Sequence, residues 1–297
     1  MPTVQTNGVE TYYEERGEGQ AVVFVHAALV DHTMWDEQVA ALDDYRTVVY
    51  DVRGHGRTGG SPLSEYSMTL YAEDLRALVE SLDLERPVLC GLSLGGMIAQ
   101  TYAATSPDEI SGVVLADTFT PPILSRGEWV LRRVVLNALI PPVRLVGLER
   151  VEKANVRLTE RFFGDAGGDY EKIEALRAAG PTIATDEFVK VVRSMTRFHD
   201  VAVDLAAISV PTLVVYGERE LPFVKHHAAR LAAHLSDVEV VEIPGAGHAS
   251  NLDDPETFTG VLRAFLGRTT PVGDGEDVDP ETKRRRRAEE SGREWGE

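Results

Sequence analysis

Gly91-Leu92-Ser93-Leu94-Gly95 sets a serine between two glycines. The apolar run Pro87-Val88-Leu89-Cys90 precedes it, and Gly96–Ala104 follows with helical character. In the order strand, G-x-S-x-G, helix, this pentapeptide forms a nucleophile elbow. The serine of such an elbow sits on a strained turn, where side chains at the flanking positions would collide with strand and helix. The turn lifts the hydroxyl clear of the sheet. It also aims the backbone N–H of Leu94, with the helix N-terminus behind it, at developing negative charge. The chemistry this supports is attack of a hydroxyl on a carbonyl carbon. The plainer alternative is a Gly-Ser surface loop, against which the apolar run and the helix both argue.

A serine nucleophile needs a base within hydrogen-bond reach and a group that orients the base. Gly245-Ala246-Gly247-His248 follows the last apolar run of the chain, Val238–Ile243. Small residues there let a loop carry the His248 imidazole over the elbow, and histidine titrates near working pH. For the orienting acid, Tyr216-Gly217-Glu218-Arg219-Glu220 ends another apolar run. Glu220 has the better offset and Glu218 the worse; Asp117, at the end of a different run, competes. A second oxyanion donor is expected from His26-Ala27-Ala28-Leu29-Val30-Asp31, with the Ala28 amide as candidate.

The remaining histidines carry weaker signals. His26 ends a strand and reads as structural, and His55 sits in the Gly-rich turn Asp51–Arg57. His226, His227 and His234 read as the surface of a helix, and His32 and His199 have no supporting context. No Cys or carboxylate cluster has metal-ligand spacing, so neither a metal nor an organic cofactor is expected. Asp51 and Arg53 read as buttresses for the loops.

Around these residues, short apolar runs at Val22–His26, Arg46–Val52, Val88–Cys90, Gly112–Ala116, Thr212–Tyr216 and Val238–Ile243 read as strands. Helical spacing lies between them: Met34, Trp35, Val39 and Leu42; Leu70 to Val79, with Ser67 or Thr69 as cap; and Thr257–Leu266. Strands alternating with helices predict an α/β fold, a mostly parallel sheet covered on both faces. The alternation breaks between Phe119 and Leu205, too long a stretch for a loop. Residues 119–205 are therefore expected to form a helical lid over a core made of 1–118 and 206–268. Phe119, Trp129, Leu131, Val134, Val135, Leu136, Leu139 and Ile140 are candidates to line it or to form its own core. Residues 269–297, with the cationic run Lys283–Arg287, read as a disordered charged tail.

The formal charge of −18 argues against nucleic acid and anionic membranes as partners. A single cysteine, Cys90, excludes an internal disulfide. No leader or spanning helix is visible, so a cytoplasmic protein acting on a small molecule is expected, with a homo-oligomer neither required nor indicated.

Val25-His26-Ala27-Ala28 with Met34-Trp35-Asp36, Asp51-Val52-Arg53-Gly54-His55-Gly56, Cys90–Met97 and Gly245–His248 together resemble the α/β-hydrolase family. Within it, they resemble the 3-oxoadipate enol-lactonases and haloperoxidase-like esterases, over residues 8–268. The resemblance implies a Ser93–His248 pair, an acid at Glu220, and oxyanion donors from Ala28 and Leu94. This chain departs from the family in having Ala27 where glycine is usual and Glu220 where aspartate is usual. The implied activity is hydrolysis of a small, mostly apolar ester or lactone. The same groups could instead cleave a C–C bond or run perhydrolysis, and a silent ligand-binding protein is the reading from another class.

Overall fold

The computed structural model describes residues 2–151, 170–181 and 183–269. Its centre is an eight-stranded sheet in the order β1-β2-β4-β3-β5-β6-β7-β8. The strands are β1 Thr3–Thr6, β2 Val9–Arg16, β3 Ala21–Val25, β4 Arg46–Tyr50, β5 Val88–Leu92, β6 Gly112–Ala116, β7 Thr212–Gly217 and β8 Val238–Ile243. From β4 to β8 across the sheet all pairs are parallel. Parallel strands need both faces covered, which is why β3, β5 and β6 are apolar and buried at every position.

The strand alternation divides this apolar content between two cores. Val23, Val25, Leu89, Val113 and Leu115 face a core shared with helices Met68–Ser81, Leu94–Thr105 and Pro222–His234. Val22, Phe24, Val88, Cys90, Val114 and Ala116 face a core completed by Trp35, Val39 and the closing helix Pro255–Thr269. Cys90 is fully buried in the second, and burial pushes its thiol pKa up, so it is an inert packing residue. Ser67 caps the Met68–Ser81 helix, its Oγ accepting from Leu70 N–H at 3.1 Å.

The hairpin β1–β2 is the element that the apolar runs do not reveal. Thr6 pairs with Val9 across Asn7-Gly8, and Gly8 has φ +77°. Asn-Gly between two extended segments is a strong two-residue hairpin signal. It is masked in the sequence because five of the eight residues of β2 are partly or fully exposed and the strand carries few aliphatics. The β2–β4 ladder and buried Val9 and Tyr12 fasten this hairpin, and polar anchors add to them: Arg53 donates to Asn7 O at 2.7 Å and forms a buried pair with Asp74 at 2.6 Å.

Between β6 and β7 the described residues contain no strand. They form helices Arg126–Val130, Leu136–Ala138, Ile140–Val146, Tyr170–Ala179 and Thr185–Thr196, with a π turn at Leu131–Val135. This segment has its own apolar centre of Ile140, Val143, Leu148, Phe188, Val189 and Val192, against which Leu29, Leu136 and Leu139 pack. Trp129, Val134 and Val135 are exposed rather than lining an interior. Polar ties fasten it to the sheet. Tyr66 Oη donates to Glu187 at 2.5 Å, and Lys190 Nζ to Ser61 O at 2.8 Å. Arg177 Nε donates to Leu29 O at 3.1 Å. Thr269, expected in the charged tail, instead ends the Pro255–Thr269 helix, and residues 270–297, including Lys283–Arg287, lie outside the described residues. Among the described residues no helix is long and apolar enough to cross a membrane.

Candidate active site

Ser93 stands between the end of β5 and the first residue of the Leu94–Thr105 helix, at φ +55° and ψ −111°. A non-glycine residue held there stores of the order of 1–3 kcal/mol of strain. The flanking glycines are dictated by close approach. A Cβ on Gly91 would lie 2.2 Å from Gly95 O, and one on Gly95 would lie 2.0 Å from Val25 O. Gly95 thus lets the helix N-terminus abut the end of β3, where His26-Ala27-Ala28 begins. Gly95→Ala is expected to cost about 3 kcal/mol, a fall of roughly 10 °C in Tm. Thermal melts of the two proteins check this; an unchanged Tm would mean that the β3 end yields freely.

His248 reaches the elbow from the loop after β8. Its Nε2 lies 3.1 Å from Ser93 Oγ, and its Nδ1 lies 2.6 Å from Glu220 Oε2. This spacing suits an imidazole that donates from Nδ1 to the carboxylate and accepts the Ser93 hydroxyl proton at Nε2. The Glu220 side chain is fully buried, and its other oxygen accepts from Leu221 N–H at 2.7 Å. Glu218 has a different role. Its carboxylate accepts from Gly245 N–H at 2.8 Å and pins the turn that delivers His248. Gly217 allows the approach of this turn, since a Cβ there would lie 2.3 Å from Gly247 O.

Asp117, the competing acid, lies behind this pair. One oxygen accepts from Gly217 N–H at 3.0 Å, and the other from the Ser250 hydroxyl at 2.5 Å. It ties β6, β7 and the loop after His248 together. Burial first, then the nearby Glu220 charge, raise the Asp117 pKa to about 8. Burial opposes charge on His248, but the attraction and hydrogen bond of Glu220 outweigh it, with help from Asp117 and Asp253, and raise its pKa to about 9.

Ala28 follows the end of β3, and β3 pairs with β5 so that Val25 stands beside Gly91. A Cβ on Gly95 would also lie 3.0 Å from His26 O, so the loop that carries Ala28 begins against the helix that Leu94 opens. Ala27 lies outside the positive-φ region, so a methyl replaces the usual glycine without left-handed strain; Leu29 is the residue with φ +65°. His26 Nδ1 meets Ala27 O at 2.7 Å, and its Nε2 accepts from Val52 N–H at 2.9 Å, joining this loop to the one after β4. Asp51 braces the same region, accepting from His32 N–H at 2.9 Å and Arg57 N–H at 2.6 Å.

Two histidines differ from expectation. His32 is buried, with Nδ1 2.7 Å from Asp51 and Nε2 3.3 Å from Glu14. Asp31, His32 and Asp51 have the spacing of a metal site. However, Asp31 Oδ1 already accepts from Thr33 N–H and its hydroxyl, and the His32 ring is held by carboxylates on both sides. His227 is fully buried rather than on the helix surface. Val224, Ala228 and Leu231 are its buried neighbours on the Pro222–His234 helix, so the spacing 224, 227–228, 231 marks an inner face. His227 Nε2 lies 3.0 Å from buried Glu128, which also pairs with Arg132 at 2.8 Å. The His227 ring packs edge-on against Phe119, whose centroid is 6.4 Å from that of His248.

A serine at a strained strand-to-helix turn, beside a loop histidine paired with a buried carboxylate on a parallel sheet, defines an α/β-type hydrolase site. Residues 22–261 match the model of the alpha/beta hydrolase family, and the chain belongs to that family and is a hydrolase. It is 29% identical over 272 residues to a putative non-heme chloroperoxidase of Synechocystis, covering 87% of this chain and 95% of that one. It is 27% identical over 267 residues to 3-oxoadipate enol-lactonase 1 of Acinetobacter baylyi, covering 89% and 92%. Among solved structures, a thermophilic esterase from Thermogutta terrifontis superposes with a TM-score of 0.72 at 28% identity, covering 90% of this chain and 97% of that one. These similarities support ester or lactone hydrolysis as the kind of reaction.

Proposed function

We propose that this protein is a serine hydrolase that cleaves a small carboxylic ester or lactone through an acyl-enzyme. The carrying observation is the chain of contacts Ser93 Oγ, His248 Nε2, His248 Nδ1, Glu220 Oε2, at 3.1 and 2.6 Å. His248 removes the Ser93 proton as Oγ bonds to the carbonyl carbon, and the carbonyl π pair moves onto oxygen. The amides of Leu94 and Ala28 receive that oxyanion. The tetrahedral species collapses, the C–O bond to the leaving group breaks, and His248 gives its proton to the departing alkoxide. Water, deprotonated by His248, then attacks the acyl carbon and releases the acid and Ser93. Glu220 holds the imidazole tautomer throughout. Asp117 is a positioning residue here, not the triad acid.

Residues 119–205 act as the lid in this reading. Their attachment to Leu29, next to Ala28, links lid and oxyanion loop. Arg177→Ala is expected to lower kcat about tenfold with a smaller change in KM, because the oxyanion amide loses its alignment in the transition state. Arg177→Lys, which keeps a donor, should recover part of that loss. A rise in KM alone would assign Arg177 to substrate binding instead.

Turnover of a p-nitrophenyl ester series and of γ- and δ-lactones, with product analysis, tests the reading. Release of free acid from either class supports it. Folded protein that turns over neither, and that fails to react with a fluorophosphonate, would move the ligand-binding reading to the front. The chloroperoxidase-named relative favours one further assay: peracid formation from acetate and hydrogen peroxide, in which peroxide replaces water in the second step.

A further inference from the structure

The stretch from Arg126 to Val146, between β6 and β7, turns apolar side chains to solvent. On its first turns Glu128 and Arg132 are buried as an ion pair at 2.8 Å, and Glu128 also meets buried His227. Positions 126, 129, 130, 133 and 134 form one stripe at helical spacing, the stripe that a helix ordinarily turns to its core. Here it is exposed throughout: Trp129, Val130 and Val134 lie on it between Arg126 and Arg133. The charged pair takes the inside and the apolar residues the outside. The next helix, Ile140–Val146, is apolar on both sides. Ile140 and Val143 enter the apolar centre they share with Phe188, while Leu145 is 85% exposed and Pro141, Pro142 and Val146 are exposed with it. A helix that is apolar all round is ordinarily covered all round.

These residues are concentrated. Among the described residues eight large apolar side chains are exposed, and six of them lie between 129 and 146. Scattered exposed aliphatics need no explanation, whereas a cluster on successive turns marks an interaction surface. The charges on it are nearly all of one sign. Between 121 and 151 the exposed charged residues are Arg126, Arg133, Arg144 and Arg150 against Glu149. In a chain of net charge −18, a cationic apolar face is a local reversal.

The chemistry of this face selects its partner. A two-fold contact with a second copy places the same patch on both sides and brings the two sets of arginines together, like charge against like. An anionic bilayer surface complements both features. Trp and aliphatic side chains enter the boundary between headgroups and acyl chains, and arginines lay their stems along it with the guanidinium at the phosphates. The charge of the whole chain does not decide the matter. Charges farther from the bilayer than a Debye length, about 10 Å at 0.1 M salt, are largely screened from it.

We propose that the outer face of Arg126–Val146 is a docking surface for the headgroup region of an anionic lipid bilayer. The protein then lies on the bilayer without crossing it, as no described helix is long and apolar enough to span. Docking does not depend on the Ser93 chemistry, and Ser93→Ala should bind as wild type does.

The test is co-sedimentation of the full chain with vesicles of phosphatidylcholine alone, or of phosphatidylcholine with about a third phosphatidylglycerol. Wild type is expected to partition about tenfold more strongly onto the anionic vesicles, and raising salt from about 0.1 M to about 0.5 M should weaken that binding. Trp129→Gln with Leu145→Gln should lower it about tenfold, and Arg126→Glu with Arg144→Glu should abolish the preference for anionic lipid. All four positions are exposed, so both proteins should melt as wild type does. Folded wild type that binds neither vesicle overturns the proposal. So does binding that both variants retain, which would place the contact elsewhere, at the cationic run Lys283–Arg287 first. Sedimentation velocity without vesicles reads the other occupant. A monomer is expected; a dimer that Leu145→Gln dissociates would put a second copy on this face and overturn the lipid assignment.

Discussion

Ser93→Ala is expected to lower kcat for any ester or lactone substrate by about 10⁶-fold, leaving only the acceleration that oxyanion donors and binding supply. The loss is large because Oγ forms the bond to the acyl carbon. Alanine can keep the same backbone, so the fold should survive. β5, the Leu94–Thr105 helix and the approach of Gly95 to Val25 O do not depend on Oγ. Stopped assays over hours with wild type and variant, beside their melts, measure this. A variant that retains a tenth of the activity in the same fold would place the nucleophile elsewhere.

Glu220→Gln is expected to lower kcat about 10⁴-fold, because an amide can donate to Nδ1 and turn the imidazole into the wrong tautomer. Its pH dependence carries further information. The base must be uncharged to accept the Ser93 proton, so wild-type kcat/KM should rise with pH as His248 deprotonates. Glu220 holds that pKa up, to about 9, so the acid limb lies above the ordinary histidine value of 6.5. Without the Glu220 charge and hydrogen bond, the largest upward influence on His248 is removed and the limb should move to lower pH. Stability runs the other way. A raised folded pKa stabilises the fold fully below 6.5 and loses that contribution as pH rises through about 9. Tm in wild type should therefore fall across this window, and Glu220→Gln should flatten the fall. The protonation state that catalyses is the less stabilised one. A limb that stays put in Glu220→Gln would show that another carboxylate, Asp117 first, sets the His248 pKa.

Much of the site's geometry is legible in residue order because each member sits at a strand end. β5, β7 and β8 deliver Ser93, Glu220 and His248 to one edge of the sheet, and their apolar runs announce them. Residue order favours Glu220 but leaves Asp117 as a rival, since both follow a strand. The choice between them depends on where a side chain points: Glu220 to His248 Nδ1, and Asp117 back to Gly217 and Ser250. The β1–β2 hairpin escapes a search for apolar runs because most residues of β2 are polar and partly or fully exposed; it is joined to the sheet through β4, with only Val9 and Tyr12 among its apolar residues fully in the core. His227 is legible and still misleads. A polar residue on an apolar helical face is buried when a partner exists, and its partner, Glu128, is 99 positions away. Long-range polar pairs of this kind leave no periodic trace. The same holds for His32 with Asp51 and Glu14.

A Ser93 nucleophile activated by His248 is tested most directly by the mass of the intact protein after reaction with a fluorophosphonate, followed by mapping of the modified peptide. One adduct is expected, on Ser93, absent from Ser93→Ala and strongly slowed in the His248→Ala protein. An adduct on another serine, or none in folded wild-type protein, would contradict that nucleophile and its activation.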